Sequence, residues 1–313
     1  MVDTHALSVS DAQAAGRLMR RASLASMSVA LILVAAKTAA WLITDSVSML
    51  SSLVDSSLDL LSSLITFFAV RQALVPADAD HRFGHGKAEA LAGIAQAGFI
   101  AASAGAVLLT VSDRFLHPRP ITAELLGVAV SGFAVVLTIG LVLYQRRVLS
   151  RTGSVAIGAD KAHYTTDLIT NVAVAAGLFI SSRTGQPLID LAVAVGVAFY
   201  LAISAASIAR GALDVLMDRE LPEGKRQAIY DIVRRHPEVR GAHELRTRSG
   251  GLTQFIQLHV VLDPTLSLGH AHAIGDRIED SIRHAFPRAE IILHVDPWDD
   301  RIENRALAAR ARP

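Results

Sequence analysis

Four apolar runs, each the length of a bilayer-crossing helix, constrain this chain before any other feature does. They are Ala22 to Thr44, Ala88 to Val111, Ile121 to Tyr144 and Pro187 to Ala209, and about 20 apolar residues in a helix cross a hydrocarbon core of about 30 Å. Composition agrees, with 51% hydrophobic and 19% charged residues and a mean hydropathy of +0.40, too apolar for an ordinary soluble domain of 313 residues. Two further spans are masked by polar side chains. Ser46 to Val70 carries Asp55, Asp59 and many serines, and Val155 to Ser181 carries Asp160, Lys161, His163 and Asp167 ahead of an apolar half. Both keep an apolar stripe, and the intervals they fill are too long for loops in a compact bundle. Six transmembrane helices are therefore expected, although a hydropathy scan alone passes over a segment such as Val155 to Ser181.

Six spans place both termini on one side, and the basic residues select it. Arg17, Arg20, Arg21, Arg71, Arg82, Lys87, Arg146, Arg147, Arg151, Arg210 and Arg219 fall on one side, against Arg114, Arg119 and Arg183 opposite. The N-terminal segment 1–21, the 71–88 and 145–154 loops and the C-terminal region are thus expected in the cytosol. The first apolar run is too long for a signal peptide and is expected to be retained. A membrane domain over 22–212 is followed by a change to mixed charge and two kinds of periodicity. Pro222 to Arg235 reads as a helix, Ala242 to Thr247, Gln254 to Leu262 and Glu290 to Val295 as strands, and Leu268 to Ala285 as a second helix whose Ile274, Ile278 and Ile282 form one apolar face. The order αββαβ over 213–298 predicts a small α+β domain, followed by a mobile tail over 299–313.

Chemistry concentrates inside the two masked spans. Asp55 and Asp59 stand four residues apart, as do His163 and Asp167, so each pair leaves one helix face roughly 6 Å apart along the axis. Each central Asp costs roughly 2.5 to 3.5 kcal/mol on insertion scales, so three of them call for a cation, protons or water. Three carboxylates and an imidazole suit a tetrahedral site around Zn²⁺. Lys37 is an alternative partner but is expected to snorkel to the interface. Ser48, Ser51, Ser52, Ser62 and Ser63 extend the acidic face, either lining a wet path or bonding back to their own helix. Because a ligand must be deprotonated to hold metal, protons oppose metal binding, which is the chemistry of antiport. There is no nucleotide-binding Gly-rich loop, and a net charge of +1 argues against nucleic acid as a partner. There is also no cysteine, so only nitrogen and oxygen ligands remain.

Between the second and third spans, Asp78, His81 and His85 lie close enough in sequence for one small metal site, with Gly84 permitting a turn.

Several separated motifs then stand in a familiar order. Ser46-Val47-Ser48 with Val54-Asp55-Ser56-Ser57-Leu58-Asp59, the His81 to Glu89 stretch, Ala159-Asp160-Lys161-Ala162-His163-Tyr164-Thr165-Thr166-Asp167 and Gly241-Ala242-His243 together resemble the cation diffusion facilitator family, and within it the bacterial ferrous-iron and zinc efflux branch, over residues 20 to 298. The resemblance implies a homodimeric metal/proton antiporter of the bacterial inner membrane, not an enzyme, with its transport site on Asp55, Asp59, His163 and Asp167 and a loop site on Asp78, His81 and His85. It further implies a two-metal site in the C-terminal domain on His243, His259, His272, His294 and Asp296. The strand spacing is compatible, since His294 and Asp296 leave one face of a strand. Metal there would stabilise or sense rather than be transported. Val295 departs from the branch, which often has a more polar residue there. Asp55, where some zinc-specific relatives carry His, leaves the choice among Zn²⁺, Cd²⁺ and Fe²⁺ open.

Two other functions fit parts of the pattern: an intramembrane metalloenzyme, for which there is no HExxH pattern, and a membrane-anchored metal sensor, against which the polar stripes in the spans argue.

Overall fold

A computed structural model describes residues 4–45, 47–116, 125–184 and 187–299. Six long helices come first: α1 Thr4–Thr44, α2 Val47–Ala73, α3 Ala88–Leu116, α4 Leu125–Thr152, α5 Val155–Thr184 and α6 Pro187–Leu216. Among the described residues, α1, α2, α3, α4 and α6 each contain a stretch long and apolar enough to cross a membrane. Each expected span falls on one of these helices, and several helices continue well past their apolar run. The expected start of the second span at Ser46, residues 121–124 of the fourth, Arg119 and tail residues 300–313 lie outside the described residues. The chain divides into two compact units, the helical one running from Ala14 to Asp214.

Local signals place the helix ends. Gly153, at φ 68°, ends α4, and its N–H donates to the Leu149 carbonyl (2.9 Å), the left-handed stop that glycine adopts without a Cβ penalty. Ser154 then caps α5, its hydroxyl accepting from the Ile157 N–H (3.2 Å). Glu89, buried near the start of α3, joins the same cap. Its carboxylate accepts from the Ser154 hydroxyl and from the Ala156 N–H (3.2 Å). Between α3 and α6, Ile100 and Ala104 pack on Val197, Leu201 and Ala205. A Cβ on Gly93 would lie 3.0 Å from the Ala212 side chain, so glycine allows the close approach typical of lipid-embedded helices. Outward, Leu42, Ile43, Leu109, Val136, Phe199 and Ile203 are exposed, which suits lipid and not water.

The C-terminal unit has α7 Glu223–Arg234, β1 Gly241–Gly250, β2 Thr253–Leu262, α8 Leu268–Ala285 and β3 Ala289–Pro297, the αββαβ order read from the sequence. β2 is the central strand, antiparallel to β1 and parallel to β3. Ile274, Ile278 and Ile282 of α8 are fully buried against Ile229 and Val233 of α7 and Ile256, Leu258 and Val260 of β2. Burying each such side chain stabilises the unit by about 1.5–3 kcal/mol before entropy is counted. Ser267 caps α8, its hydroxyl accepting from the His270 N–H (3.3 Å).

Candidate metal centres

Where α2 faces α5, three of the four expected side chains meet. His163 Nε2 lies 3.2 Å from Asp59 Oδ1 and 3.5 Å from Asp167 Oδ2, and one ligand atom from each residue falls within 4.8 Å of the others. The imidazole is buried. Its Nδ1, Asp167 Oδ2 and Thr170 Oγ1 are buried without a hydrogen-bond partner. Orphaned polar atoms in a lipid-embedded bundle are costly, and Asp59, His163 and Asp167 form a donor set that a cation would satisfy. Asp55 stands outside this group and is exposed. It precedes Asp59 by four residues, so the rise of one helical turn carries it along α2 and away from His163.

Lys37 does not snorkel. Its ammonium donates to the Ser52 carbonyl (3.1 Å) and the Ser56 hydroxyl (2.7 Å), which binds α1 to α2 one turn from Asp59. The serines follow neither expected course uniformly. Ser62 and Ser63 join a buried network centred on Asp160, which has no exposed surface. Asp160 Oδ2 accepts from the Ser26 hydroxyl (2.7 Å) and the Gln145 amide (2.6 Å), and Oδ1 from the Gln96 amide (3.4 Å). Ser63 lies 3.0 Å from Ser26 and 2.8 Å from the Tyr164 hydroxyl, while Ser62 donates to Gln96 (2.6 Å). Among the described residues Asp160 has no Lys or Arg partner. Five helices, α1 to α5, thus meet at one carboxylate held by neutral donors. The sequence reading did not find this hub. The available signal was Gln96 and Gln145, amides in otherwise apolar helices, where such groups need partners on neighbouring helices.

The loop between α2 and α3 gathers its three expected residues. His81 Nδ1 and His85 Nε2 lie 3.4 Å from Asp78 Oδ1 and Oδ2 respectively, with ring centroids 4.5 Å apart. Gly84, at φ 76°, donates to the His81 carbonyl (2.9 Å) and turns the chain. The backbone N–H of His81, helped by both imidazoles and the Asp80 N–H, holds the Asp78 carboxyl below its usual range. His85 Nδ1 is buried without a hydrogen-bond partner.

In the C-terminal unit, strand register builds the cluster. His243 pairs with His259 across β1 and β2, and His259 with His294 across β2 and β3, so three imidazoles stand side by side. Asp296, two residues after His294, divides its oxygens. Oδ2 lies 2.8 Å from His259 Nδ1 and 3.3 Å from His243 Nε2, while Oδ1 lies 3.2 Å from His294 Nε2. His243, His259 and Asp296 form one ligand group, and His243 Nε2 is buried without a hydrogen-bond partner, so the donor set fits a metal ion. His272 is not brought in. It projects from α8, 77% exposed, 3.7 Å from Asp276.

Long apolar helices around a carboxylate and imidazole cluster, joined to an α+β domain with a second such cluster, define a membrane protein built to handle cations. Residues 23–217 match the cation efflux transmembrane domain and residues 221–298 the cytoplasmic domain of cation efflux proteins, and the chain belongs to this cation efflux family, the cation diffusion facilitators. It is similar to the cation-efflux pump FieF of Shewanella oneidensis, with 46% identity over 89% of this chain and 94% of that protein. The FieF pumps of Cronobacter sakazakii (44% identity, 90% and 94% covered) and Escherichia coli K12 (43%, 91% and 95%) are also similar to it. The protein is therefore a membrane cation efflux transporter, and the family resemblance read from the motifs holds.

Proposed function

We propose that this transporter moves divalent transition-metal ions, Zn²⁺ foremost with Cd²⁺ and Fe²⁺ as further cargo, out of the cytoplasm in exchange for protons. The observation that carries the reading is His163, its Nε2 between the carboxylates of Asp59 (3.2 Å) and Asp167 (3.5 Å) on two facing helices. One imidazole and two carboxylates, with Asp55 one turn away as the fourth ligand, suit a borderline divalent ion. Protons compete for the same lone pairs, so protonation from the outer side expels the metal and deprotonation at the inner side readmits it. On this reading α5 is the sixth span, its polar half shielded by the other helices. The membrane domain covers 22–212, the cytoplasmic domain 213–298, and both termini lie in the cytoplasm of a bacterial inner-membrane protein.

Asp78, His81 and His85 form a separate loop site. The cytoplasmic centre would hold resident metal on His243, His259, His294 and Asp296, and that metal would stabilise or sense. His272 points away from the cluster of its own protomer, so it serves this centre only across a homodimer contact. The test is reconstitution into sealed vesicles, following Zn²⁺ and pH together. Zinc uptake that needs a pH gradient and moves protons the opposite way is the expected result. Zinc flux without proton movement would remove antiport, and no flux with Zn²⁺, Cd²⁺ or Fe²⁺ would remove the cargo assignment.

A further inference from the structure

The pairing of β1 with β2 breaks between His243 and Arg246, and Glu244, inside the break, has φ 50°. A side-chain-bearing residue is uncommon in that left-handed region, and a bulge beside a functional cluster re-aims a side chain. Here the re-aimed carboxylate comes to His259. Glu244 Oε2 lies 3.9 Å from His259 Nε2, while Nδ1 of the same ring lies 2.8 Å from Asp296 Oδ2. The two nitrogens of one imidazole therefore face two carboxylates, one inside the ligand group and one outside it.

We propose that Glu244 is a positioning residue for the cytoplasmic metal centre, accepting a hydrogen bond from the Nε2–H of His259 so that Nδ1 offers its lone pair beside Asp296. This rests on the reading that the centre holds metal. A neutral imidazole has one N–H and one lone pair. Asp296 acting alone draws the proton to Nδ1, the tautomer that cannot coordinate on that side. A carboxylate at Nε2 supports the opposite tautomer, and metal-binding histidines usually donate their second N–H to such a group. At 3.9 Å the contact is longer than a hydrogen bond, and a rotation of the exposed Glu244 side chain or one bridging water closes it. The competing Arg246 guanidinium lies 3.6 Å from the same carboxylate, with both side chains largely exposed. Exposed pairs of this kind are worth little, so the contact does not hold Glu244 away from the ring. Direct ligation is disfavoured because Glu244 approaches the nitrogen turned away from Asp296.

The experiment uses the full chain in detergent carrying Asp59→Ala, Asp167→Ala, His81→Ala and His85→Ala, which confines Zn²⁺ to the cytoplasmic centre. Affinity is read by competition with a chromophoric chelator at one pH. Glu244→Gly, which suits the backbone, and Glu244→Asn, too short to reach Nε2, are expected to weaken zinc binding by about 10- to 100-fold. Metal-free Glu244→Gly should melt at or above the parent temperature, which separates this loss from unfolding. Glu244→Gln keeps an acceptor oxygen and should retain most of the affinity. Glycine and asparagine variants within twofold of the parent would overturn the proposal. So would a glutamine variant as weak as the glycine one, because the carboxylate would then bind the metal itself. A parent that binds no zinc would instead remove the centre, and the inference with it.

Discussion

His163 of α5 and Asp59 of α2 lie 3.2 Å apart although 104 residues separate them in the chain. That contact joins two helices that carry acidic side chains within their long apolar sequences. Removing any member of the cluster should therefore stop transport. Asp59→Ala, His163→Ala and Asp167→Ala are each expected to lower zinc flux to the rate of empty vesicles while the protein elutes as the parent does. Asp55→Ala should also stop flux if Asp55 completes the ligand set. Residual flux above about a tenth of the parent rate in Asp59→Ala would show that the cargo binds elsewhere.

Asp160 should matter for stability as well as rate. Removing one donor to a buried charged acceptor costs about 1.5–3 kcal/mol, so Gln145→Ala is expected to lower the thermal midpoint measurably in detergent. Asp160→Asn turns an amide toward donors that need an acceptor, and its midpoint should fall further. Midpoints unchanged in both variants would mean that the hub contributes no net stability.

At the head of α5, the Glu89 and Ser154 cap is expected to contribute about 0.5–2 kcal/mol. Ser154→Ala and Glu89→Gln should each lower the midpoint, and the double variant should lose less than the sum, because the two side chains share one set of N–H groups. Strict additivity would show that they act separately.

The loop offers a pH prediction. Asp78 has its carboxyl held below the ordinary value of 3.8 by the His81 N–H and its neighbours. A depressed carboxyl contributes stability that is present above its unfolded value and lost as pH falls through the folded one. The loop turn should thus persist through neutral and mildly acidic conditions. In selectively labelled protein the His81 amide resonance should titrate with a midpoint below 3.8, and a midpoint above that value would contradict the arrangement. His85→Ala is expected to slow zinc flux less than Asp59→Ala does.

Much of this architecture was legible in the sequence because burial has a period. Ile274, Ile278 and Ile282 marked the inner face of α8, and the helix runs over the expected Leu268–Ala285. Paired polar residues ahead of an apolar half marked α5. Rotation and register were less accessible. Spacing put Asp55 and Asp59 on one face but did not show that only Asp59 meets His163. Lys37 bears the same signs whether it snorkels or bonds to Ser56, and only the packing of α1 on α2 decides. His272 matched a family pattern, yet its position on α8 turns it from the sheet within one chain. Glu244 was hidden because a bulge, unlike alternation, leaves no mark in composition.

The carboxylate that seals the beginning of α5 belongs to α3, two residues after Lys87 and four after His85. A twist of α5 large enough to re-aim His163 would pull on Glu89 and, through it, on the loop that carries His81 and His85. The two helices are thus yoked at their shared end, and whatever clamps that loop also sets how freely the helix that bears His163 can turn.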